Sequence, residues 1–437
     1  MLLPEDFVTY TRQKMGEERY DRFLQALDEE PPVSIRLNPL KLRGEPWQVV
    51  DGENVPWCSD GYYLPRRPNF TMDPLLHAGC YYVQEASSMF LANVITSILQ
   101  HFNSPDPQSS LQPLTVLDLC AAPGGKSTLL RTLLPEGSVL YSNEPVRSRA
   151  SILSENIQKW GWPDCVVTSK YAKDFRKAKM MFDILLCDVP CSGEGMFRKD
   201  PLAVKEWSRQ NVEHCWRLQR DIVSDIWPCL RPGGMLIYST CTFNTLENEE
   251  NVRWLCEQFD AEMLAVPTLP EWHITGSLLP GFDAPVYRFI PGFTRGEGLF
   301  MAVLRKKGEY FKPKDACYQR DVRNLKSQTS ARPKDACYQR DARNLKSQTS
   351  NLKSQINIDL PYPQAIAYLQ RQALHLPPDT PRGIVEVSFM GKVLGPCKNI
   401  GNRANNLYPQ EWRIRTTHTP TDYEPVIIKK EKDNNEL

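Results

Sequence analysis

The central part of the chain, from Leu114 to Leu304, alternates short apolar runs with longer segments of helical periodicity. Short runs bounded by turn residues favour buried strands, and the longer segments between them favour helices. Strands and helices in alternation predict an α/β domain with a Rossmann-like, doubly wound, mostly parallel sheet and right-handed crossovers. The predicted strands are Thr115–Leu119, Ser138–Ser142, Asp164–Thr168, Asp183–Cys187 and Met235–Ser239.

Smaller segments flank this domain on both sides. Residues 1–105 combine an amphipathic stretch from Phe7 to Leu27 with a short strand in the motif SIRLNP (34–39), which predicts a small α+β appendage. Residues 357–437 include the strand-like VEVSF (385–389) and predict a second small domain, either α+β or β-rich.

A duplicated segment separates the predicted central domain (106–308) from the C-terminal one. Residues 313–330 recur at 333–350 with a single change, Val322 to Ala342. Each copy has too few apolar residues to share a core with its neighbour, which argues against a solenoid. We therefore interpret residues 309–356 as a basic linker, which either contacts phosphate or is simply solvated.

Composition excludes several classes of protein. The chain has 53 Lys and Arg against 52 Asp and Glu, so any basic surface is local. It has neither the features of a signal peptide nor an apolar run long enough to span a bilayer, so we expect a cytoplasmic protein without membrane contact. Its 13 cysteines are scattered without paired short spacings, which favours buried thiols over a disulfide framework.

The segment from Asp118 to Thr128, DLCAAPGGKST, follows the first predicted strand and begins a helix. A phosphate-binding P-loop would require glycine where this chain has Cys120, and the G-x-G-x-x-G pattern of dinucleotide sites is missing. Glu144 ends the second strand, where a carboxylate accepts ribose hydroxyls. The pattern favours S-adenosylmethionine over a dinucleotide, and a purely structural turn with a surface glutamate is the alternative.

Two cysteines and an acid follow the fourth and fifth strands. Asp188 and Cys191 come after the fourth strand and Cys241 after the fifth, so all three are expected at the ligand crevice of the sheet. Two thiols without a CxxC pair or a neighbouring histidine fall short of a zinc site, and no metal is expected. Packing is the other alternative, and it is our interpretation for the remaining cysteines near these strands, Cys187, Cys229 and Cys256.

A thiol and a methyl donor together suit one reaction. Carbon 5 of a pyrimidine becomes nucleophilic only after a group adds covalently at carbon 6, and a cysteine thiolate performs that addition. Asp188 is placed to stabilise the adduct at ring nitrogen 3 and the exocyclic amine, and the second thiol to help release the product.

Specific motifs extend through most of residues 30–305. They are SIRLNP (34–39), AGCYYVQEASSM (78–89), LDLCAAPGGKST (117–128), NEPVRSRA (143–150), DVPCSGEGMFRKDP (188–201) and LRPGGMLIYSTCTFNTLENEENV (230–252). The chain therefore resembles the Sun-domain (Fmu-type) RNA 5-methylcytosine methyltransferases, and among them the bacterial ribosomal RNA enzymes with a C-terminal RNA-binding extension. The segment GNRANNLYP (401–409) is similar to that extension.

The resemblance implies a role for each residue that matches a motif. It makes Cys241 the nucleophile, Cys191 the thiol that assists product release, and Asp188 a catalytic acid that also lies beside the cofactor. The S-adenosylmethionine site would comprise Ala121, Ala122, Pro123, Gly124, Gly125, Lys126, Ser127, Glu144 and Asp188, together with Asp174 near the adenine. Because the register of TSKYAKDF (168–175) is ambiguous, Tyr171 is the alternative to Asp174.

Other polar residues receive weaker interpretations. Arg198 and Lys199 either meet RNA phosphate or lie in a solvated loop. Stacking on RNA is possible for Trp412, Arg413 and Arg415, although a single Trp is more often a core residue. Three glutamates that follow Asn244 are interpreted as complements to a helix N-terminus: Glu247, Glu249 and Glu250.

The leading hypothesis is a monomeric enzyme that methylates cytosine carbon 5 in RNA, with both flanking domains binding RNA. Resemblance favours ribosomal RNA or a small-subunit precursor over transfer RNA. A non-catalytic ribosome assembly factor is disfavoured because Cys241, Asp188 and the glycine turn are all intact. An amino-group methyltransferase is disfavoured because that chemistry needs no nucleophilic thiol.

Overall fold

The computed structural model describes residues 2–102, 112–310, 356–416 and 422–430. The tandem duplication at 313–350 lies outside these ranges, so its predicted role as a linker stays a prediction. Within the described residues, none of the helices is both long enough and apolar enough to cross a membrane.

The N-terminal segment begins with two helices. Beyond them, and alongside three further α-helices, a small antiparallel sheet has the strand order Glu53–Asn54, Gly61–Leu64, Val33–Leu37, Tyr81–Val83. The amphipathic stretch predicted from Phe7 to Leu27 is divided at Gly16, whose φ of 79° is readily adopted only by glycine. The elements are α1 (Glu5–Met15), α2 (Glu17–Leu27), β1 (Val33–Leu37), α3 (Pro39–Leu42), β2 (Trp47–Val49), β3 (Glu53–Asn54), β4 (Gly61–Leu64), α4 (Pro74–His77), β5 (Tyr81–Val83) and α5 (Leu91–Leu99).

The central segment contains all five predicted strands, with bounds shifted by a few residues. The largest shift is in the fifth strand, which begins at Leu230 instead of Met235. Its pairing with the neighbouring strand is irregular between these two residues. The elements are β6 (Thr115–Asp118), α6 (Gly125–Leu133), β7 (Val139–Asn143), α7 (Arg147–Trp160), β8 (Cys165–Thr168), α8 (Ala172–Lys177), β9 (Phe182–Asp188), α9 (Pro201–Glu206), α10 (Arg209–Ile226), β10 (Leu230–Thr240), α11 (Glu249–Phe259), β11 (Glu262–Met263), β12 (Val286–Phe289) and β13 (Leu299–Arg305).

The central sheet has the strand order β11-β13-β10-β9-β6-β7-β8, and β12 pairs with β13. Strands β6 to β10 are parallel, whereas β11, β12 and β13 run antiparallel to their partners and were not predicted. The chain leaves β6 towards β7 and β8 on one side and then returns to β9 on the other. The carboxyl ends of β6 and β9 therefore border the crevice in which ligands bind in such sheets. The predicted fold class is confirmed.

Both faces of the central sheet are buried, which explains why its strands are almost continuously apolar. Ile184 and Leu186 of β9 point into one hydrophobic cluster, while Leu185 and Cys187 point into another on the opposite face. Cys187 is fully buried there and Cys229 nearly so, and Cys256 packs against the same cluster. Their interpretation as packing residues is confirmed.

The C-terminal segment packs on the N-terminal one. Strand β14 is parallel to β15, and β15, β16 and β17 form an antiparallel ladder that includes the predicted VEVSF strand. Ile35 and Leu75 share one hydrophobic cluster with Ile366 and Val387, and β18 pairs with β2. The domain boundaries stay a prediction. The elements are β14 (Asn357–Asp359), α12 (Tyr362–Leu369), β15 (Gly383–Phe389), β16 (Lys392–Asn399), β17 (Ala404–Asn406) and β18 (Ile427–Lys429).

Candidate active site

The loop of residues 121–127 connects β6 to α6 at the crevice. Gly124 adopts a φ of 119°, and a Cβ atom there would lie 3.3 Å from Cδ1 of Leu153 on α7. A side chain at this position would therefore be both strained and crowded. Nδ2 of Asn156 donates to the carbonyl of Pro123 at 2.8 Å, so α7 holds the loop in place.

Asp118 anchors the first turn of α6. Its side chain is fully buried, and its Oδ2 accepts a hydrogen bond from Oγ of Ser127 at 2.7 Å. Burial raises the pKa of Asp118 to about 7, although the bond from Ser127 opposes that shift. Ser127, a predicted cofactor residue, is thus turned towards the sheet and orients the helix start.

Glu144 follows β7 and is 1% exposed. Its Oε1 accepts a hydrogen bond from the N–H of Val146 at 2.9 Å. Its Oε2 is buried with no hydrogen-bond partner in the described part of the chain, and Nη1 of Arg149 lies 3.4 Å away. A buried acceptor without a donor is costly, and a ribose hydroxyl would satisfy it. The residues present therefore fit the nucleoside part of S-adenosylmethionine.

The segment after β8 lies beside Glu144, whose N–H donates to the carbonyl of Thr168 at 3.1 Å. Asp174 accepts a hydrogen bond from the N–H of Tyr171 at 3.1 Å and so caps the start of α8. The Tyr171 side chain is 64% exposed. The geometry gives Asp174 a structural partner, and contact of either residue with the cofactor stays a prediction.

The two cysteines predicted for catalysis meet at the carboxyl ends of β9 and β10. These strands are paired with Asp188 opposite Ser239, which brings the loops that follow them together. Sγ of Cys191 lies 3.0 Å from Sγ of Cys241, and the N–H of Cys241 donates to Sγ of Cys191 at 3.3 Å. The hydrogen bond between the thiols, and secondly burial, raise the pKa of Cys191 well above its ordinary value. Cys191 is therefore a protonated thiol in the resting site.

Lys126 joins the 121–127 loop to Asp188, the predicted catalytic acid. Its Nζ lies 2.8 Å from Oδ2 of Asp188, and the side chains are 15% and 28% exposed. Burial alone would lower the pKa of Lys126, but the ion pair with Asp188 outweighs it and the net pKa is raised. Lys126 was predicted only as part of the cofactor loop, and its contact across the crevice adds a second role.

Of the three glutamates after Asn244, Glu249 and Glu250 lie in the first turn of α11 as predicted, whereas Glu247 requires a correction. Helix α11 begins at Glu249, but the carboxylate of Glu249 forms a buried ion pair with Arg288. Glu247 precedes the helix and accepts a hydrogen bond from the N–H of Ser192 at 3.0 Å. Burial, followed by the nearby carboxylate of Glu194, raises the pKa of Glu247 to about 7. The sequence carried no local sign of these contacts, because the partners lie tens of residues away along the chain.

Arg198 is in neither of the two environments predicted for it, which were contact with RNA phosphate and a solvated loop. Its guanidinium is 5% exposed, with Nη2 at 3.0 Å from Oε1 of Glu297 and Nη1 donating to the carbonyl of Ala26 at 2.9 Å. It therefore ties the loop after β9 to the end of α2 and does not face solvent. Lys199 is 30% exposed and lies 3.8 Å from the same carboxylate oxygen.

The basic and aromatic residues predicted for RNA docking lie at the C-terminal surface. Trp412 is half-buried, with its ring edge-on to Tyr408 and Nζ of Lys159 5.6 Å from its centroid. Arg413 and Arg415 are exposed. The tryptophan thus contributes to packing, and RNA contact by the two arginines stays a prediction.

Comparison with known proteins gives three matches along the chain. Residues 107–305 match the family described as 16S rRNA methyltransferase RsmB/F. Residues 3–86 match the N-terminal domain of 16S rRNA methyltransferase RsmF, and residues 355–414 match the methyltransferase RsmF PUA domain.

Curated relatives and a solved structure agree with these matches. Ribosomal RNA small subunit methyltransferase F of Pectobacterium atrosepticum is 34% identical over 70% of this chain and 63% of its own length. The protein of the same name from Enterobacter sp. is 33% identical over 70% of this chain and 64% of its own length. The chain thus spans less than two thirds of the length of these relatives. A crystal structure of a methyltransferase homologue from Pyrococcus horikoshii superposes with a TM-score of 0.55 at 26% identity, over 69% of this chain and 95% of that one. By these matches the central segment of this chain is similar to the RsmB/F methyltransferase family, and its N-terminal and C-terminal segments are similar to the flanking domains of RsmF.

Proposed function

We propose that this protein transfers a methyl group from S-adenosylmethionine to carbon 5 of a cytosine in ribosomal RNA of the small subunit. The observation that carries the proposal is the pair of thiols, 3.0 Å apart, at the edge of the crevice that holds the glycine loop and the Lys126–Asp188 pair. The names of the curated relatives support ribosomal RNA of the small subunit as the substrate class.

Cys241 starts the reaction and loses its thiol proton to solvent as its sulfur adds to the ring. Its sulfur forms a bond to carbon 6 of the cytosine, and the electrons of the C5–C6 double bond move towards carbon 5 and ring nitrogen 3. The cytosine must leave its stack to reach the sulfur, as bases do in other enzymes that modify them. Because the Sγ of Cys191 lies 3.0 Å from that of Cys241, it is within reach of the same edge of the ring.

Asp188 stabilises the negative charge that develops on the ring. One carboxylate oxygen is hydrogen-bonded to Nζ of Lys126 at 2.8 Å, so a proton can pass from the ammonium through the carboxyl group to ring nitrogen 3. The same carboxylate accepts a hydrogen bond from the exocyclic amine. The charge is stabilised in a partly buried crevice, where such interactions are stronger than in water.

The 121–127 loop and Glu144 would hold S-adenosylmethionine, which would supply an electrophilic methyl group to carbon 5. While Cys241 is a thioether it no longer shares a proton with Cys191, which then releases its own proton to solvent. The Cys191 thiolate next takes the proton from carbon 5, and ring nitrogen 3 returns its proton through Asp188 to Lys126. The double bond then returns and the bond to Cys241 breaks.

Two cysteine variants test this division of roles. Cys191→Ala should keep the RNA covalently bound, so that a slow RNA–protein band persists on a denaturing gel, and Cys241→Ala should form no such band. Cys256→Ala is the matched control, because that thiol only packs against the core. If neither variant forms the adduct, or if Cys241→Ala keeps its activity, the assignment of roles is wrong.

Bisulfite sequencing of ribosomal and transfer RNA, from cells with the wild-type protein, with Cys241→Ala and without the protein, identifies the substrate. We expect one ribosomal cytosine to lose protection in both deficient strains. Loss of protection confined to cytosines of transfer RNA would overturn ribosomal RNA as the substrate class. No change in either pool would favour the assembly-factor alternative.

A further inference from the structure

Two buried glutamates connect the loops that carry the thiols. The Cys191 loop comprises residues 189–196 and the Cys241 loop comprises residues 241–248. Each loop contributes one glutamate to the other: Glu194 reaches from the first to the second, and Glu247 reaches from the second to the first. We call this pair the glutamate clamp.

Glu194 fixes the backbone that follows Cys241. Its side chain is 1% exposed, and its Oε2 accepts hydrogen bonds from the N–H groups of Phe243 at 2.7 Å and Asn244 at 2.9 Å. Its Oε1 accepts a bond from Nε1 of Trp207 at 3.0 Å. The carboxylate thus binds two successive peptide groups of the Cys241 loop.

Glu247 fixes the backbone that follows Cys191. It is fully buried, and its Oε2 accepts hydrogen bonds from the N–H of Ser192 at 3.0 Å and from Nε2 of Gln219 at 2.7 Å. Nδ2 of Asn244 lies between the two carboxylates, at 2.7 Å from Oε1 of Glu247 and 3.0 Å from Oε1 of Glu194. The two halves of the clamp are therefore connected to each other.

Two carboxylates so close together in a core are costly, and an apolar core of the same volume is often as stable or more so. Their contacts indicate what they provide: between them they bind three backbone N–H groups next to the thiols, in charge-assisted bonds. A further backbone bond, from the N–H of Gly195 to the carbonyl of Cys241 at 2.8 Å, crosses the same gap.

We propose that Glu194 and Glu247 are positioning residues that set the separation of the two thiols and keep Cys191 in place for the proton transfer from carbon 5. Their part in the reaction rests on the proposed function, whereas their control of the thiol separation does not.

Phenylarsine oxide measures that separation without RNA. Two thiols at bonding distance convert it to a dithioarsenite: the arsenic forms two As–S bonds and the oxide leaves as water with the two thiol protons. Both bonds form readily only when the thiols are held together, which is an effective-concentration effect. The wild-type protein should bind the reagent tightly, and Cys191→Ser and Cys241→Ser should each lose that binding. Loss of binding in these two variants would exclude capture of the reagent by other cysteines.

Glu194→Gln and Glu247→Gln should each weaken the binding of phenylarsine oxide by about tenfold or more. Asp183→Asn is the matched control: Asp183 is equally buried but lies at the opposite end of β9, where Oδ2 accepts a bond from the N–H of Thr115 at 2.7 Å. It should lower the melting temperature and leave the affinity for the reagent unchanged. If Glu247→Gln does not fold, Gln219→Met replaces it, since this change keeps both carboxylates and removes one donor to Glu247. If Glu194→Gln does not fold, Trp207→Phe replaces it, since this change removes the donor to Oε1 of Glu194.

Turnover on RNA separates positioning from general destabilisation. In Glu247→Gln the covalent RNA adduct should persist and kcat should fall with little change in KM for RNA, because addition by Cys241 precedes the step that needs Cys191. Wild-type arsenical affinity in folded Glu194→Gln and Glu247→Gln, or equal loss in Asp183→Asn, would overturn the clamp. Altered arsenical affinity without any methylation by the wild-type protein would leave the clamp standing and refute the proposed function instead.

Discussion

Replacing Glu144 by Gln tests the cofactor site most directly. One oxygen of Glu144 accepts a hydrogen bond from the N–H of Val146 at 2.9 Å. The other is buried, has no hydrogen-bond donor among the described residues, and lies 3.4 Å from Nη1 of Arg149. A glutamine has nearly the same shape but only one acceptor. It keeps either the bond to Val146 or the acceptor for a ribose hydroxyl, so one of the two interactions is lost or reversed.

The structure sets the size of the effect. A hydrogen bond to a charged group contributes about 1.5–3 kcal/mol and a neutral one about 0.5–1.5 kcal/mol, so the substitution should cost about 1–2 kcal/mol of binding free energy. That corresponds to a Kd for S-adenosylmethionine roughly 5- to 30-fold higher. Arg149 adds little, because its side chain is 53% exposed and solvent screens its charge.

Isothermal titration of the purified protein with S-adenosylmethionine measures this change without RNA. Glu136→Gln is the control, since this glutamate is exposed in the turn between α6 and β7 and its substitution should leave Kd unchanged. Thermal melting shows that each variant is folded. A Kd for Glu144→Gln within about twofold of the wild-type value would refute the ribose assignment.

Three further predictions follow from the same crevice. Lys126→Met should lower the single-turnover methylation rate by about a hundredfold and change the Kd for S-adenosylmethionine far less, because the lysine pairs with Asp188 at 2.8 Å; an unchanged rate would contradict its role as a proton donor. Asp118→Asn should flatten the pH dependence of thermal stability between about pH 4 and pH 7. Because the pKa of Asp118 in the folded protein is raised to about 7, the stability that its protonated carboxyl contributes below about pH 4 is lost as the pH rises to 7. Equal slopes of melting temperature against pH for the wild-type protein and the variant would refute this. Asp174→Asn should weaken S-adenosylmethionine binding if the aspartate meets the adenine, whereas a lower melting temperature at unchanged Kd would confine it to capping α8.

The parallel strands could be predicted from the sequence because each is a continuous apolar run buried on both faces of the sheet. Because the carboxyl ends of parallel strands lie at one edge of a sheet, Asp188, Cys191 and Cys241 were expected at one edge, and they were found there. The antiparallel strands β11, β12 and β13 lack the alternation with helices that marked the others. The short β11, of only 2 residues, leaves almost no pattern to read.

Arg198 shows why charged residues were harder to interpret. An arginine in a loop of polar residues normally predicts solvent exposure, and that prediction was wrong because its carboxylate partner, Glu297, lies 99 residues away in the chain. Gly16 is the opposite case: a single residue with positive φ divides a stretch whose hydrophobic pattern alone favoured one helix. The first failure concerns contacts at long range and the second a local backbone preference.

Glu194 and Glu247 show why the contacts that hold the two cysteine loops together could not be predicted from the sequence. Cys191 and Cys241 are recognisable because their motifs lie at the ends of strands, but a thiol's position in the sequence does not fix its distance from another thiol. That distance depends on how two loops, separated by 50 residues, are held against each other. Glu194 and Glu247 hold the two loops through backbone N–H groups. Every residue type but proline provides such a group, so the sequence does not indicate which residues the glutamates bind. The role of a carboxylate can therefore be inferred only when the loop it binds is known, and here each of the two loops carries one of the paired cysteines.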